Sequence, residues 1–273
     1  MPASCPCAFI PSNMAMIRIF PVLLIALSTA STARGQAALS VTPAYAVVTQ
    51  ETPYGAFTLS NEGTEPVEIT ISARYGVIAS SDSTTHVVLG EGGRLGNLAD
   101  RLTFFPDRCI LTPGNERIVR YLVDDASTVP HGGHIALMHF AMQERAVARQ
   151  DQVPAVATAL SIVYNLVTPL IYLSGQGAPD LDVQVLAARP GALDVMLRIR
   201  GVWPFLGGVI VKDGSKQLGR AEVAVYTERR LVIPLSGNVL PERLELHFDT
   251  RYTGLSHNVR QYLMAPEPIS IAP

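Results

Sequence analysis

Cysteine and charge are both scarce in this 273-residue chain, and each scarcity excludes a class of protein. Two of the three cysteines, Cys5 and Cys7, lie in a segment that we expect to be removed on export. Cys109 would then remain alone, which excludes an internal disulfide, and its position in an apolar run predicts a buried structural thiol. Charged residues make up 16%, with 21 Lys and Arg against 23 Asp and Glu and no basic cluster. This balance excludes a nucleic-acid-binding surface.

Long apolar runs are missing as well. The run at residues 19–27 is far shorter than the about 20 residues that a transmembrane helix needs. Arg18 precedes it and small residues follow it, which is the pattern of a secretory signal peptide. We therefore predict a signal peptide with an upstream segment over residues 1–37, cleaved after Ala33 or Ala37, and no membrane insertion. A membrane anchor is the alternative for this segment.

Catalytic motifs are absent from the sequence, which has no Gly-x-Ser-x-Gly turn, no Cys–His motif and no paired carboxylates in a recognisable context. We therefore expect no enzyme activity and no cofactor. His131, His134 and His139 with Met138 and Met142 suggest copper, because imidazole and thioether groups bind it. On a strand, however, His134 shares one face with both methionines while His139 points away, and methionines so placed are more typical of a core. We predict no metal site, with periplasmic copper binding as a minor alternative.

Glycine and proline are abundant, at 21 and 20 residues, and long helical patterns are missing, which favours an all-β chain. A first cluster of alternating segments predicts strands over residues 39–48, 55–60, 67–74, 102–111, 117–123, 135–143 and 159–173. Residues 80–97 are expected to be irregular, and residues 144–158 to form a mobile loop. A second cluster predicts strands over residues 181–187, 192–200, 208–212, 222–226, 231–235, 244–248 and 259–264, with a tight turn at Asp213 and Gly214.

The segment at residues 159–173 is the longest nearly charge-free run after the signal peptide. Leu160, Ile162, Tyr164 and Leu166 alternate with smaller or more polar residues, so on a strand they share one face. Such a strand either fills the core of its own domain or forms an edge that offers these side chains to another protein.

Several short segments occur together in a recognisable order. Ser60 and Asn61 close a strand, residues 105–114 (FPDRCILTPG) approximate a P-x-R-x-L-x-P-G pattern, and the run ending LIY closes the series at residues 170–172. In this order, residues 39–173 resemble the periplasmic chaperones of the chaperone–usher pilus pathway, the PapD-like family. The second cluster of strands is similar to that family only in size and strand number.

The resemblance implies two immunoglobulin-like β-sandwich domains in a boomerang arrangement, at residues 38–174 and 178–273. It implies that the last strand of the first domain completes a pilin-like subunit that lacks a strand, with Leu160, Ile162, Tyr164 and Leu166 as donor residues. It further implies a periplasmic location, delivery of the subunit to an outer-membrane usher, and no catalysis. An exported structural or adhesive β-sandwich protein is the main alternative.

One expected feature of that family is missing. The family holds the carboxylate at the subunit's C-terminus with an Arg on the first strand and a Lys on the donor strand, whose places fall here on Tyr45 and Pro169. Burying a carboxylate without a charged partner is costly. Tyr45 and Arg74 are therefore the candidates for a replacement in the cleft between the domains. Arg120 matches a family position and is expected to be a structural ion-pair or cleft residue.

Overall fold

Strands make up most of the computed structural model, which describes residues 38–271 apart from 82–83, 91–95, 145–162, 238–240, 242, 253–254 and 256. This described part holds nineteen strands, two short 3-10 turns and one helix of a single turn, so the prediction of an all-β chain is confirmed. The predicted signal peptide lies outside the described residues. In the part that is described, no helix is long and apolar enough to cross a membrane.

The first sandwich consists of two sheets. One sheet has the strand order β1 (Leu39–Thr42), β3 (Tyr54–Asn61), β10 (Glu116–Val123) and β8 (Leu102–Phe105). The other has the order β2 (Ala46–Thr49), β12 (Val163–Ser174), β11 (Gly132–Glu144), β4 (Val67–Arg74) and β9 (Arg108–Leu111), with β7 (Gly96–Asn97) beside β11.

Inward-facing side chains of both sheets fill the core of this sandwich. The Phe57 ring contacts Tyr121 in its own sheet and Phe140 in the opposite sheet, with centroids 5.2 and 5.8 Å away. Cys109 packs against this core and is partly buried, and that burial raises the pKa of its thiol. The thiol is therefore only partly buried, where full burial was predicted, and its contact with the core and its raised pKa agree with the predicted structural role.

The second sandwich is built the same way. Its sheets have the orders β13 (Leu181–Arg189), β14 (Ala192–Ile199), β17 (Glu228–Pro234), and β16 (Lys216–Val225), β15 (Phe205–Asp213), β18 (Leu244–Asp249), β19 (Ile269–Ile271). Phe205 and Phe248 meet edge to face in its core, with ring centroids 5.6 Å apart. The predicted turn at Asp213 and Gly214 joins β15 to β16, and Gly214 adopts a positive φ of 55° that favours glycine.

A third apolar cluster joins the two sandwiches, and we call it the inter-sandwich core. The outward-facing residues Ile135, Leu137, Ile171 and Leu173 of β11 and β12 supply one side of it. The other side comes from the second half of the chain, with Trp203, Leu206, Tyr226, Leu255, Val259, Tyr262 and Leu263. Here β11 and β12 are buried on both faces, which explains why both read as nearly continuous apolar runs. The domain boundary at 174–178 remains a prediction.

Four local predictions were wrong. The expected strand at 39–48 is two strands, because the chain leaves one sheet after Thr42 and joins the other at Ala46. The expected strand at 102–111 is likewise divided between the two sheets as β8 and β9. Residues 80–97, expected to be irregular, include most of a hairpin of β5 (Gly76–Ser81) and β6 (Thr84–Leu89). The expected strand at 259–264 begins inside the helix α1 (His257–Arg260).

The outer face of β14 and β17 carries a bidentate ion pair. Arg230 donates hydrogen bonds from Nε and Nη2 to the buried carboxylate of Asp194, at distances between 2.6 and 3.2 Å. The hydrogen bonds from Arg230 lower the pKa of Asp194. The carboxylate therefore releases its proton more readily in the folded protein than in the unfolded chain, and ionisation stabilises the fold.

We expect Asp194→Asn to lower the free energy of unfolding at neutral pH by about 1.5 kcal/mol. The stabilisation is complete above the unfolded pKa of about 3.9 and is lost as the pH falls through the lower folded pKa. Urea unfolding from about pH 7 down to about pH 2 should therefore show the variant approaching the parent protein in acid. Glu228→Gln, which removes the exposed pair with Arg198, serves as the control and should change little at any pH.

Candidate functional site

One edge of the first sandwich is only partly covered. β11 pairs with β12 along its whole length, from Val163 to Ser174. On the opposite side, β2 pairs with β12 only from Leu170 to Leu173. Within the described part of the chain, Val163–Pro169 therefore has no strand on its outer side. We call this segment the open edge, and at the usual rise per residue it is about 23 Å long.

The side chains of the open edge follow the predicted alternation. Tyr164 and Leu166 are half-buried and pack against the core of the first sandwich. Asn165 is exposed on the other face, and Val167 packs against the inter-sandwich core. Of the four predicted donor residues, Tyr164 and Leu166 thus share the inward face at the end of the sandwich. Leu160 and Ile162 lie outside the described residues.

Proteins usually protect a long strand edge from pairing with other chains. The edge strand β13 shows such protection, because a β-bulge interrupts its register between Val185 and Ala187 and Asp182 forms an ion pair with Arg200. The open edge has no charged residue and no bulge in its register with β11. Pro169, which lacks an amide hydrogen, stands only at its end. This edge therefore keeps the capacity to pair with a further strand.

A cavity of about 310 Å³ lies where the open edge ends. Pro169 contributes to its wall, together with Ile78 of β5, Tyr252 and several residues of β16 and β17. The ring of Tyr45 lies 5.5 Å from that of Tyr252, measured between centroids. Burial, Tyr252 and Glu222 together raise the pKa of the Tyr45 hydroxyl, so it remains a neutral hydrogen-bonding group. Pro169 thus lies in the wall of the cavity, and Tyr45 lies close to it. These are the two positions at which the resemblance places the basic pair.

The cations in the cavity wall come from residues that the sequence analysis did not select. Arg229 and Arg230 of β17 both line the cavity, and Arg230 is held by Asp194. Burial and Glu222 raise the pKa of Tyr252, while the charge of Arg229 opposes them, which places that charge near the tyrosine cluster. In the sequence, these cations appear only as an adjacent pair of arginines before an apolar run. No nearby sequence pattern indicates that the pair lies close to Tyr45 in the fold.

Neither of the two arginines selected from the sequence is among the residues that line the cavity. Arg74 ends β4 as an exposed residue and pairs in register with Leu137 of β11. Arg120 projects from the outer face of β10, in the sheet that does not contain the open edge. The structure therefore brings Tyr45 and Pro169 together at the cavity but does not bring Arg120 to them.

The candidate copper ligands take up separate roles. His134 donates a hydrogen bond from Nε2 to the Pro130 carbonyl oxygen at 2.7 Å, and burial lowers its pKa. Met138 and Met142 are buried in the first core, while His139 points away and lies 3.4 Å from the Ser72 hydroxyl. The predicted division of faces is confirmed. Among the described residues, no group of three or more His, Cys, Asp or Glu side chains is arranged to hold a metal ion.

Comparison with known proteins gives likeness in structure and none in sequence. No protein-family model matches the chain, and no curated protein matches its sequence. The E. coli chaperone DraB is 11% identical over 87% of this chain and 98% of its own, with a TM-score of 0.43. The chain is similar in fold to periplasmic chaperones.

Two further solved chaperone structures extend this likeness. The Pseudomonas aeruginosa CupB2 chaperone is 9% identical over 85% of this chain and 99% of its own, with a TM-score of 0.40. A complex of the Salmonella enterica SafA pilin with the SafB chaperone matches at 9% identity over 86% of this chain and 96% of that chain, with a TM-score of 0.41.

Proposed function

We propose that this protein is a periplasmic chaperone of pilin-like subunits and that it acts by lending its open edge to a subunit that lacks a strand. The observation that carries the proposal is the half-covered state of β12. Its second half is fixed between β2 and β11, while Val163–Pro169 is paired on one side only within the described residues. A partner strand laid against that edge extends the sheet without moving any element.

The inward face of the open edge supports the same proposal. When a strand is added beside β12, the inward faces of both strands become one surface. Tyr164 and Leu166 then contact the partner's apolar groove as well as the end of the chain's own core. Completing the burial of such a side chain contributes up to about 1.5–3 kcal/mol. The same contacts cover the groove, which otherwise exposes an aggregation-prone edge.

The cavity beside Pro169 supplies a place for the end of the bound segment. A carboxylate there would be close to the cation of Arg229 and to neutral tyrosine hydroxyls. We propose that Arg229 of the second sandwich binds the carboxylate at the subunit's C-terminus. The resemblance assigns that role to a basic pair on the first sandwich. The captured subunit is then released to an outer-membrane usher.

The proposal is tested by offering the mature protein two forms of one pilin-like subunit. The first form lacks its final strand, and the second carries a matching strand fused to its own terminus. We expect a stable one-to-one complex with the first form and none with the second, measured by co-expression and size-exclusion chromatography. Equal binding to both forms would contradict strand lending.

A second candidate function is an exported structural or adhesive sandwich protein, because the open edge could equally pair permanently with the next subunit of a fibre. The two functions predict different final locations for the protein. Fractionation that recovers the protein stably within a surface fibre favours the structural role. Recovery as a periplasmic complex favours the chaperone.

A further inference from the structure

The β5–β6 hairpin is a ribbon of two strands that belongs to neither sandwich. Its strands pair with each other, from Gly76 opposite Leu89 to Ser81 opposite Thr84, and with no other strand in the described part of the chain. A two-stranded ribbon on its own is only marginally stable in water. The position of the hairpin therefore depends on the contacts that it makes with the rest of the protein.

The root of the hairpin is fixed on the first sandwich. The Gly90 amide donates a hydrogen bond to the Tyr75 carbonyl oxygen at 2.8 Å, which closes the ribbon beside the end of β4. Gly76 is pressed against the buried Leu137 of β11, so that a Cβ at this glycine would lie 2.8 Å from Leu137 Cδ1. Gly90 has a positive φ of 81°, and a Cβ there would meet nothing within 4 Å. The root is thus anchored at Gly76 and has space to turn at Gly90.

Beyond its root the hairpin reaches the second sandwich. The Thr227 hydroxyl donates a hydrogen bond to the Ile78 carbonyl oxygen at 2.8 Å. The backbone of Thr227 is itself fixed, because its carbonyl oxygen accepts a hydrogen bond from the Ile199 amide at 2.7 Å. The Ile78 side chain packs against the inter-sandwich core and lines the cavity beside Pro169. No backbone ladder reinforces this contact among the described strands, since β17 pairs with β14 alone.

The described side chains of the hairpin are poorly covered. Val87 is 41% exposed and Leu89 48% exposed, while Val77 and Val88 are half-buried. The neighbouring Leu137, by contrast, is fully buried in the inter-sandwich core. Segments with few buried contacts open locally at a lower free energy than the whole protein needs to unfold. The far part of the hairpin is therefore expected to detach before either sandwich unfolds.

We propose that the β5–β6 hairpin is a lid on the cavity beside Pro169, and that it swings about its root while both sandwiches stay folded. Opening breaks the hydrogen bond from Thr227 and withdraws Ile78 from the cavity wall. The walls formed by Tyr252, β16 and β17 then become accessible to solvent. The lid is a property of the protein without a partner, so the proposal does not depend on the proposed function.

The first test is hydrogen exchange of the mature protein, followed by mass spectrometry under native conditions. A detached ribbon loses its ladder, so the paired amides of β5 and β6 should exchange at least about tenfold faster than those of β11. Thr227→Val removes one hydrogen bond and should raise the exchange of the hairpin about fivefold, without changing that of β11. Thr70→Val makes the same change at an exposed position of β4 and should leave the exchange of the hairpin unchanged.

The second test measures access to the cavity directly. Ala224 of β16 is half-buried and lines the cavity, so Ala224→Cys places a thiol in its wall. Cys109→Ser removes the other thiol of the mature protein. Iodoacetamide should label the new cysteine at a rate set by opening of the lid. Adding Thr227→Val should therefore increase that rate about fivefold, in step with the exchange of the hairpin.

Two results would overturn the proposal. The first is exchange of the paired hairpin amides as slow as that of β11, because the hairpin would then open only when the protein unfolds. The second is a Thr227→Val protein, with the parent's melting temperature, in which neither the exchange of the hairpin nor the labelling of Ala224→Cys becomes faster. In that case the contact between Thr227 and Ile78 does not close a lid.

Discussion

Replacing Tyr164 by Asp will abolish capture of a strand-deficient subunit. Tyr164 lies on the inward face of the open edge, where the proposed partner groove covers it. The substitution removes up to about 1.5–3 kcal/mol of apolar burial and adds the larger cost of placing an unpaired carboxylate in that groove. Together these effects predict a loss of affinity of at least a hundredfold. The affinity is measured by calorimetric titration of the protein with the subunit as the subunit refolds from denaturant. Recovery of the complex from the periplasm is the second measurement.

The neighbouring residue provides a matched control. Asn165 stands on the opposite, exposed face of the same strand, so Asn165→Asp adds the same charge without entering the groove. Its capture of the subunit should stay within about twofold of the parent protein. Because Tyr164 also touches the first core, the melting temperatures of both variants must be measured. A Tyr164→Asp protein that is folded and still co-purifies with its subunit would refute the donor role. Ile162→Asp, on the same predicted face, should behave like Tyr164→Asp.

Shortening Leu206 to alanine will uncouple the two sandwiches. Leu206 is fully buried in the inter-sandwich core, and removing such a side chain typically costs 2–5 kcal/mol, from lost transfer free energy and the cavity that remains. Most of that loss falls on contacts between the sandwiches. Val232→Ala, at a half-exposed position on the outer face of the second sandwich, is the control and should cost well under about 1 kcal/mol.

A natural probe reports this uncoupling. Trp203 is the chain's single tryptophan, it is buried in the same cluster, and its ring lies 5.4 Å from that of His131. Fluorescence in urea therefore follows the interface, while far-UV circular dichroism follows all strands. In the parent protein the two transitions should coincide, as for a cooperative unit. In Leu206→Ala the fluorescence transition should come first. Coincident transitions in that variant would mean that the sandwiches remain coupled without the Leu206 side chain, which would contradict the prediction.

Strands that alternate along their whole length could be predicted well. Val67–Arg74 has its predicted bounds, because one face is core and the other is solvent throughout. The strand predicted at 159–173 was harder to interpret, since its character changes along its length. At Leu170–Leu173 both faces are buried, by the first core and by the inter-sandwich core. At Tyr164–Leu166 only the inward face is half-buried, and no local pattern distinguishes the two halves.

Features that depend on tertiary contacts could not be predicted from the sequence. The hairpin of β5 and β6 was missed because its residues are mostly small and polar, and part of what holds it lies in the other sandwich. There the Thr227 hydroxyl donates a hydrogen bond to the Ile78 carbonyl oxygen at 2.8 Å. The cavity cations were missed for the same reason. Arg229 and Tyr252 come near Pro169 only through the packing of the second sandwich against β12.

The half-covered state of β12 has an entropic consequence. Fixing the backbone of a free peptide costs about 1–2 kcal/mol per residue, so a seven-residue segment that orders on binding loses roughly 7–14 kcal/mol. In this protein β11 already holds Val163–Pro169 extended, and β2 clamps the residues that follow. The segment Val163–Pro169 has therefore already lost its conformational freedom in folding, before it binds a partner. The cost of ordering this segment therefore does not reduce the affinity, and a loose peptide of the same sequence should bind far more weakly.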